Sequence, residues 1–449
     1  MGLAVKLRTS VPKHGDIGRH REFSSEQTFA RVRPHLRRAG ITRIADITGL
    51  DRIGIPVFNA VVPRSHDELS VYNGKGGSPI DAMTSAVMEA MERFCAWQPM
   101  RPDRIASFAE LSAGTEPVLD PASHNMQPHP LYHAHQPLSW VRGFDLLNEQ
   151  TVLVPLCLAG YYIRFHEQPC YKVTTTNGIA SGNSLEEAIC HALSEVVERD
   201  AWTMAELVCN RLRTVVATRV ANAPPGSVQW LEDKHPALDL GTLPTAPARY
   251  AQMFADAGVH LVIRNVTSAT GVPTFAALIR EDLGPTVSAG HAGYGSHPDA
   301  EVAVMRALAE AAQSRAVDLQ AVREDLNLPG AKVQKWQHQT YRSQEVDPSR
   351  WPYGEAGDPV RFGDVPSHPS DDVMADLGLL LERVRALGLP RVIAVDLSIA
   401  DLPVHVARVI VPGMETYAMD QGKLGRRAGA MWDTTLRELI ARRPEVAVR

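Results

Sequence analysis

The chain has 449 residues, of which 44% are hydrophobic and 22% are charged. That composition is typical of a globular protein and excludes a largely disordered chain, which needs low hydrophobicity and a high net charge. The net charge of −5 gives no general electrostatic basis for nucleic-acid binding. The five cysteines form no C-x-x-C motif and indicate neither a disulfide scaffold nor a zinc ribbon. Because this cysteine usage suits a reducing compartment, the expected location is cytoplasmic.

Helices and strands alternate irregularly along the chain, which predicts a mixed α/β (α+β) fold of layered sheets and helices. Ser24 and Gln27 form a capping-box pattern at the start of the first helix. The longest apolar stretch, residues 151–163, contains Pro155 and is too short to span a bilayer, so we expect no membrane partner. Further helices are predicted at 80–97, 184–213, 298–325, 371–387 and 430–442. Strands are predicted at 55–62, 151–163, 260–267, 274–280, 391–397 and 406–412.

Three of the predicted helices share one pattern of polar residues. In each, a polar residue is followed by a glutamate four positions later and by Glu or Gln after three more. This spacing places each trio on one stripe of its helix. A glycine-rich stretch precedes every one of these helices, so the repeat predicts a single site built from three loop–helix units. The trios are Ser85-Glu89-Glu92, His191-Glu195-Glu198 and Arg306-Glu310-Gln313.

The acidic positions of these stripes need a positive partner. The first of the three helices is otherwise almost wholly apolar, so Glu89 and Glu92 lie on a face that packing buries in part. An unpaired buried carboxylate is costly, which predicts an arginine or a metal ion beside it. Mg²⁺ is the natural candidate because it takes oxygen ligands and bridges carboxylates to phosphates.

The second helix carries the largest set of polar residues. Structural interpretations remain open here: Ser184 and Glu187 fit a capping box, and the Glu-Arg pairs of the first two helices fit ordinary ion pairs. His191 alone is more often a core histidine than a ligand. The stripe and the residue before it comprise Asn183, Glu187, His191, Glu195 and Glu198.

The glycine-rich stretches can bring backbone N–H groups close to an anion. Lys75 lies within the first of them and can reach a phosphate. No P-loop motif is present, which excludes a P-loop NTPase, and no G-x-G-x-x-G motif supports a dinucleotide-binding fold.

These motifs resemble the ATP-binding motifs of the YcaO family. The resemblance rests on S-x3-E-x2-E, N-x3-E-x7-E-x2-E and R-x3-E-x2-Q-x-R, and family-like phrases extend over residues 18–320. It implies a YcaO-like fold with ATP and Mg²⁺ as cofactors. We assign the metal to Glu89, Glu92, Glu187, Glu195 and Glu198. We assign the nucleotide to Lys75, Ser85, Asn183, Arg306, Glu310, Gln313 and Arg315, together with Arg19, Arg21 and Ser25 of the N-terminal segment. No acid or base is evident, although His191 is a candidate.

The resemblance also implies a reaction, the ATP-dependent activation of a backbone amide in a ribosomally made precursor peptide. A side-chain nucleophile then gives an azoline, an amine gives an amidine, and sulfide gives a thioamide. We expect cyclodehydration because its nucleophile comes from the substrate itself. The segment GITRIADITGLDRIGIP also resembles members that form thioamides with a TfuA protein. A catalytically inactive nucleotide-binding adaptor that presents the precursor peptide is the alternative from another class.

We expect four segments along the chain. Residues 1–65 form an N-terminal segment, 66–325 the ATP-binding core, 326–372 a long loop or lid, and 373–449 a C-terminal α/β part of the same domain. Trp336 and Trp351 would be apolar contacts of the lid. No peptide-binding module and no Pro-x-Pro-x-Pro tail is recognisable, so a separate partner protein and a homodimer both stay open.

Overall fold

Three antiparallel sheets make up the framework of this computed structural model. Strand order is β1-β2-β3 in the first sheet and β10-β9-β8 in the second. The third sheet has six strands in the order β4-β5-β11-β12-β7, with β6 paired to β5. The structure describes residues 6–15, 20–63, 65, 70–161, 169–172, 174–220, 223–282, 288–321, 351–354, 357–420 and 423–442. The strands are β1 (Arg43–Asp46), β2 (Val57–Val61), β3 (Val71–Lys75), β4 (Arg104–Ser107), β5 (Pro137–Asp145), β6 (Gln150–Pro155), β7 (Ile179–Gly182), β8 (His260–Asn265), β9 (Thr274–Asp282), β10 (Ser288–Ser296), β11 (Ile393–Asp396) and β12 (His405–Ile410).

Helices cover the faces of these sheets. A π-helical stretch, Glu206–Leu212, joins two of the helices and replaces the last turns of the single helix predicted at 184–213. The α-helices are α1 (Ser25–Val32), α2 (Pro79–Ala96), α3 (Phe108–Ser112), α4 (Leu156–Ala159), α5 (Leu185–Ala205), α6 (Arg213–Arg219), α7 (Ser227–Glu232), α8 (Thr245–Asp256), α9 (Ala300–Ala321), α10 (Val373–Ala386), α11 (Tyr417–Asp420) and α12 (Arg426–Ala441). Short 3₁₀ turns lie at Arg33–His35, Thr48–Leu50, Pro121–Ser123, Leu240–Thr242 and Phe362–Asp364.

The six-stranded sheet separates two apolar cores. Successive side chains of a strand point to opposite faces, so Val406 and Ile410 of β12 join the core that α2 covers. Ala407 and Val409 join the core that α5 and α10 cover. A third core lies between α9 and the sheet of β8 to β10, around the fully buried Phe275. The sheet thus holds α2 and α5 at fixed positions on its two sides.

Local signals start the helices where the sequence predicts. Ser24 and Gln27 form the capping box of α1, which confirms that prediction. Ser78 caps α2, whose first residue is Pro79, and Ser184 caps α5. Ser78 and Ser184 each follow a glycine-rich stretch directly. The helices that carry the polar stripes, α2 and α5, therefore begin shortly after the strand that contains those glycines.

Several glycines of these stretches, Gly74, Gly182 and Gly293 among them, lie in strands rather than in open loops, which corrects the sequence interpretation. A Cβ at Gly74 of β3 would lie 2.0 Å from the backbone nitrogen of Ala86, and one at Gly293 of β10 would lie 2.2 Å from that of Ala311. At Gly182 of β7 the distance to the backbone of α5 would be 2.5 Å. No side chain fits such gaps, so these glycines allow each strand to pack directly on its helix.

The three strand–helix units close into a ring. Besides its own strand, α2 contacts β7, α5 contacts β10, and α9 contacts β3. Each helix therefore touches the glycine strand of the next unit. This arrangement turns the polar stripes of α2, α5 and α9 toward a common space.

Of the segment predicted as a long loop or lid, residues 326–372, the structure describes 351–354 and 357–372. Trp351 is 6% exposed and packs in a core with Cys209 and Leu231, so it is not an exposed contact for a ligand. The guanidinium of Arg264 donates to the carbonyl oxygen of Pro352 at 3.2 Å, which holds this part of the chain. Trp336 lies outside the described residues. Across the described part of the chain, no helix is long and apolar enough to cross a membrane.

Candidate functional site

The stripes of the three helices meet through contacts between charged and polar side chains. Arg306 of α9 contacts His191 of α5, with 2.8 Å between Nη2 and Nε2. Lys75, at the end of β3, forms an ion pair with Glu310 of α9, with 2.9 Å between Nζ and Oε2. The structure therefore brings together residues from all three units, as the repeat predicts.

Four carboxylates from α2 and α5 form the acidic side of the site. Burial and the neighbouring Glu89 raise the pKa of Glu92 well above its usual value. Burial raises the pKa of Glu195 to about 7, against the opposing effect of Arg199, and burial also raises the pKa of Glu198. Burial therefore disfavours the charged forms of Glu92, Glu195 and Glu198 more than the neighbouring arginines favour them. The acidic side comprises Glu89, Glu92, Glu195 and Glu198.

Two arginines lie beside this acidic side, but only one binds closely. Arg93 donates to Glu89 with 3.0 Å between Nη2 and Oε1. Arg199 lies 3.9 Å from Glu195 and 3.8 Å from Glu198, beyond hydrogen-bond reach. The buried Nε of Arg199 has no hydrogen-bond partner among the described residues. Glu89 therefore has a hydrogen-bonded arginine, whereas Glu195 and Glu198 share the charge of Arg199 without a hydrogen bond to it.

The acidic side fits Mg²⁺ better than a metal that the protein would enclose. Within the described ranges, no three His, Cys, Asp or Glu side chains converge closely enough to hold a metal ion by themselves. Mg²⁺ usually keeps several waters and uses one or two carboxylates together with substrate phosphates. Glu195 and Glu198, which accept no hydrogen bond from a cation among the described residues, are donors of the kind that such an ion needs.

Glu187 has a different environment from the other predicted metal ligands. Its carboxylate accepts from Arg21 Nη1 at 3.0 Å, from the backbone N–H of Glu22 at 2.9 Å, and from the amide of Asn183 at 3.3 Å. Ser184 caps the helix by accepting from the Glu187 N–H. The carboxylate itself turns to the N-terminal segment, so Glu187 and Asn183 anchor that segment on α5.

Two arginines, a lysine and a histidine form the basic side of the site. Arg21 contacts Nδ1 of His191 at 3.0 Å, while Arg306 contacts Nε2 at 2.8 Å. Burial, and then the two guanidinium charges, lower the pKa of His191 well below its usual value. A neutral imidazole has only one acceptor nitrogen, so it cannot accept from both arginines. The basic side, which comprises Arg21, His191, Arg306 and Lys75, therefore favours an anion such as a phosphate.

Three further residues were predicted to bind the nucleotide: Ser25, Ser85 and Arg19. Ser25 Oγ donates to the carboxylate of Asp81, which fixes α1 against the first turn of α2. Ser85 is partly exposed and precedes Glu89 by one turn of α2. Arg19 lies outside the described residues.

On α9, Gln313 lies on the same face as Glu310, whereas Arg315 lies on a different face. The amide of Gln313 lies 3.5 Å from the carbonyl oxygen of Asn73 in β3. Arg315 is buried and pairs with Asp51 at 2.9 Å and with Glu281 at 2.7 Å. Five residues after Glu310, it points about 140° away around the helix. Its charge is matched there, so in this structure it ties α9 to its surroundings rather than facing the site.

Sequence reasoning missed a histidine pair beside the basic side. The rings of His20 and His297 lie 5.3 Å apart. His297 contacts Asp376 of α10 at 3.2 Å, and Lys13 pairs with the same carboxylate at 2.6 Å. Burial, and then Arg21, lower the pKa of His20. The position of His20 next to Arg21 was the available signal for this pair. Asp376, the partner of His297, lies too far along the chain to give one.

Comparison with known proteins identifies the family. The family model described as YcaO cyclodehydratase, ATP- and Mg²⁺-binding, matches residues 73–415. The chain belongs to the YcaO family. This confirms the resemblance, and the family description confirms ATP and Mg²⁺ as the predicted cofactors.

Two relatives match most of this YcaO protein's length. An uncharacterized protein of Methanothermobacter thermautotrophicus is 33% identical over 393 residues, which are 86% of this chain and 93% of the relative. A Rhizobium leguminosarum bv. trifolii protein, described only as an uncharacterized protein in the tfuA 3′ region, is 33% identical over 415 residues, or 91% and 92% of the two chains.

Solved structures share the fold. The YcaO protein of Methanopyrus kandleri bound with AMPPCP and Mg²⁺ has a TM-score of 0.65 at 25% identity, covering 93% of this chain and 98% of that one. A heterocyclase in complex with substrate and cofactor has a TM-score of 0.75 at 22% identity. The match covers 95% of this chain but only 57% of that longer chain. These matches confirm the predicted mixed α/β, YcaO-like fold, while the residue roles and the four-segment division stay predictions.

Proposed function

We propose that this YcaO protein uses Mg-ATP to phosphorylate a backbone amide oxygen of a ribosomally made peptide, after which a nucleophile replaces that oxygen. The observation that carries this proposal is that the acidic and basic sides adjoin, since Glu198 of the acidic side interacts electrostatically with Arg306 and Lys75 of the basic side. Buried carboxylates suit Mg²⁺, and clustered cations suit a triphosphate. The family description supports the same class of reaction.

Each side of the site has a distinct task in this proposal. Mg²⁺ held by the acidic side would neutralise the charge that develops on the transferred phosphoryl group. Lys75, Arg21 and Arg306 orient the phosphates through charge-assisted hydrogen bonds. His191, whose pKa is lowered by burial and by the two arginines, contacts both guanidinium groups from its two ring nitrogens. Glu187 fixes Arg21, so the N-terminal segment forms part of the nucleotide site.

The reaction turns a poor leaving group into a good one. The amide oxygen attacks the γ-phosphorus, and the bond to ADP breaks. A nucleophile then adds to the amide carbon, and the carbon–oxygen bond breaks to release phosphate. The phosphate carries the former amide oxygen, and no electron is exchanged with an oxidant. Holding the amide in line with the phosphate and neutralising the developing charge together supply most of the acceleration in such a reaction.

The product depends on the nucleophile. The relative from the tfuA region matches nearly the whole chain at 33% identity, which favours sulfide as the nucleophile and a TfuA-type partner. We therefore place thioamide formation first. Ring formation, which the sequence analysis preferred, is the second candidate, and the word cyclodehydratase in the family description favours it.

Intact-mass analysis separates the two products. A candidate precursor peptide is incubated with the purified protein and Mg-ATP, with and without sulfide and a TfuA-type protein. Thioamide formation gives a peptide in which one oxygen is replaced by sulfur, and only when sulfide is present. A peptide lighter by one water without sulfide would instead establish ring formation.

Nucleotide binding is expected to require the metal. ATP should raise the melting temperature in Mg²⁺ and much less in EDTA, because a ligand that binds only the folded state stabilises it. Arg306→Ala should reduce the shift, since it removes a cation of the basic side. Arg437→Ala, which alters an exposed arginine of α12, is the matched control and should leave the shift unchanged. An equal shift in EDTA would contradict the metal assignment.

A further inference from the structure

A cleft of about 200 Å³ opens at the C-terminal end of α5. The rings of Trp202 and Tyr294 stack in one wall, with centroids 4.4 Å apart and planes inclined by 25°. Tyr417 of α11 lines another part. Aromatic residues therefore make up half of the lining, and two charged residues face them. The lining residues are Trp202, Glu206, Arg211, Tyr294, Tyr417 and Ala418.

The cleft adjoins the acidic side through Trp202, and it adjoins Glu310 of α9 through Tyr294. Trp202 lies four residues after Glu198, one turn further along the same stripe and about 6 Å along the helix axis. The guanidinium of Arg199, which lies between the α5 carboxylates, is 5.6 Å from the Trp202 ring centroid. The backbone N–H of Tyr294 donates to Glu310 at 3.3 Å. Two lining residues of the cleft, Trp202 and Tyr294, therefore lie beside charged residues of the site.

The backbone beside the cleft has an uncommon conformation. Glu206 and Arg211 both belong to the π-helical stretch that follows α5. Such segments are rare and frequently occur at functional sites. Glu206 accepts from Asn210 at 2.8 Å and pairs with Arg211 at 3.3 Å. The acidic group is thus matched within the cleft, which suits an uncharged guest.

We propose that this cleft binds an aromatic side chain of the peptide substrate, close to the amide that is activated. The inference rests on the proposed function, because it takes the acidic side as the place where the amide meets the γ-phosphate. Stacked aromatic walls favour a flat apolar ring through offset or edge contacts. The cleft therefore adds a specificity-determining subsite to the nucleotide site.

The position of the cleft favours the peptide over the base of ATP. The contacts that suit phosphates, those of Arg21 and Arg306, surround His191 near the start of α5. Trp202 lies eleven residues later, or about 16 Å further along the axis. The carboxylates Glu195 and Glu198 lie between these two regions, as expected if phosphates approach from one end and the amide from the other.

Amino-acid amides provide the probes that test this subsite. Binding of N-acetyl-phenylalanine amide and N-acetyl-glycine amide is measured by saturation-transfer NMR, with and without Mg²⁺ and a non-hydrolysable ATP analogue. The phenylalanine probe should bind and the glycine probe should not. Trp202→Ala should weaken binding of the phenylalanine probe at least ~10-fold, because an aromatic wall of the cleft is lost. Trp202→Phe should retain most of the binding.

Controls separate loss of the subsite from loss of the fold or of the nucleotide site. Trp230→Ala changes a tryptophan that contacts Lys234 and Arg442 outside the cleft, and it should leave probe binding unchanged. Trp202→Ala should keep the full Mg-ATP thermal shift. If it does not fold, Tyr417→Ala removes the other aromatic wall and answers the same question.

Two results would overturn the subsite. In the first, the phenylalanine probe binds Trp202→Ala and Tyr417→Ala as well as the native protein. In the second, the ATP analogue displaces the probe and Trp202→Ala weakens ATP binding, which would place the nucleotide base in the cleft. Failure of the proposed function itself would look different, because ATP would then give no thermal shift in the native protein.

Discussion

Replacing Glu198 by Gln is expected to lower turnover at least ~100-fold, as is typical when a group that supports charge in the transition state is lost. The substitution keeps the size of the side chain and removes one charge from the acidic side. Burial already raises the pKa of Glu198, so a neutral amide at this position should fold at least as well as the carboxylate. Loss of activity would therefore reflect the site and not the fold.

The measurements for this variant are steady-state turnover, the Mg-ATP thermal shift and the melting temperature without ligand. Glu382→Gln removes a charge from an exposed position of α10 and is the matched control, with near-native turnover expected. Turnover of Glu198→Gln close to that of the native protein would mean that this carboxylate is structural. Substrate binding without turnover in the native protein would support the inactive-adaptor alternative.

Replacing Gly293 by Ala is expected to lower the free energy of unfolding by more than ~3 kcal/mol, at the upper end of what overpacking costs. The new methyl group would lie 2.2 Å from the Ala311 nitrogen and 2.3 Å from the Ala307 carbonyl oxygen. Both are backbone atoms of α9, which cannot move aside like a flexible side chain. The expected result is separation of β10 from α9.

Chemical denaturation measures this effect, and α10 offers the control. A Cβ at Gly378 would meet no atom within 4 Å, so Gly378→Ala should be neutral or stabilise the protein by up to ~1 kcal/mol through its better helix propensity. A native-like stability of Gly293→Ala would show that the glycine strands are not close-packed on their helices.

The stripes could be predicted from the sequence because helix periodicity is a local property. Glu195, Glu198 and His191 share a face whatever packs against it. The sequence predicted that the three units share one site, but it did not predict that they close into a ring. The contacts that close the ring, such as those of α2 with β7 and of α9 with β3, depend on tertiary packing.

Several features depended on residues distant in sequence. The ion-pair partners of Arg315 are Asp51 and Glu281, which lie far from it in the sequence. The motif alone therefore could not indicate that its charge is matched outside the site. The glycines of β10 look like a loop in the sequence because the backbone of α9, which they contact, is not a local signal. The burial of Trp351 likewise depends on a core assembled from other elements.

The isotopic origin of the released phosphate tests the central claim most directly. A precursor peptide carrying ¹⁸O at its backbone carbonyls is incubated with the protein, Mg-ATP and the required nucleophile, and the phosphate is analysed by mass spectrometry. The account predicts one ¹⁸O atom in phosphate for each modified amide, whichever nucleophile attacks. Phosphate that takes its new oxygen from water, with the label retained in the peptide, would contradict amide phosphorylation.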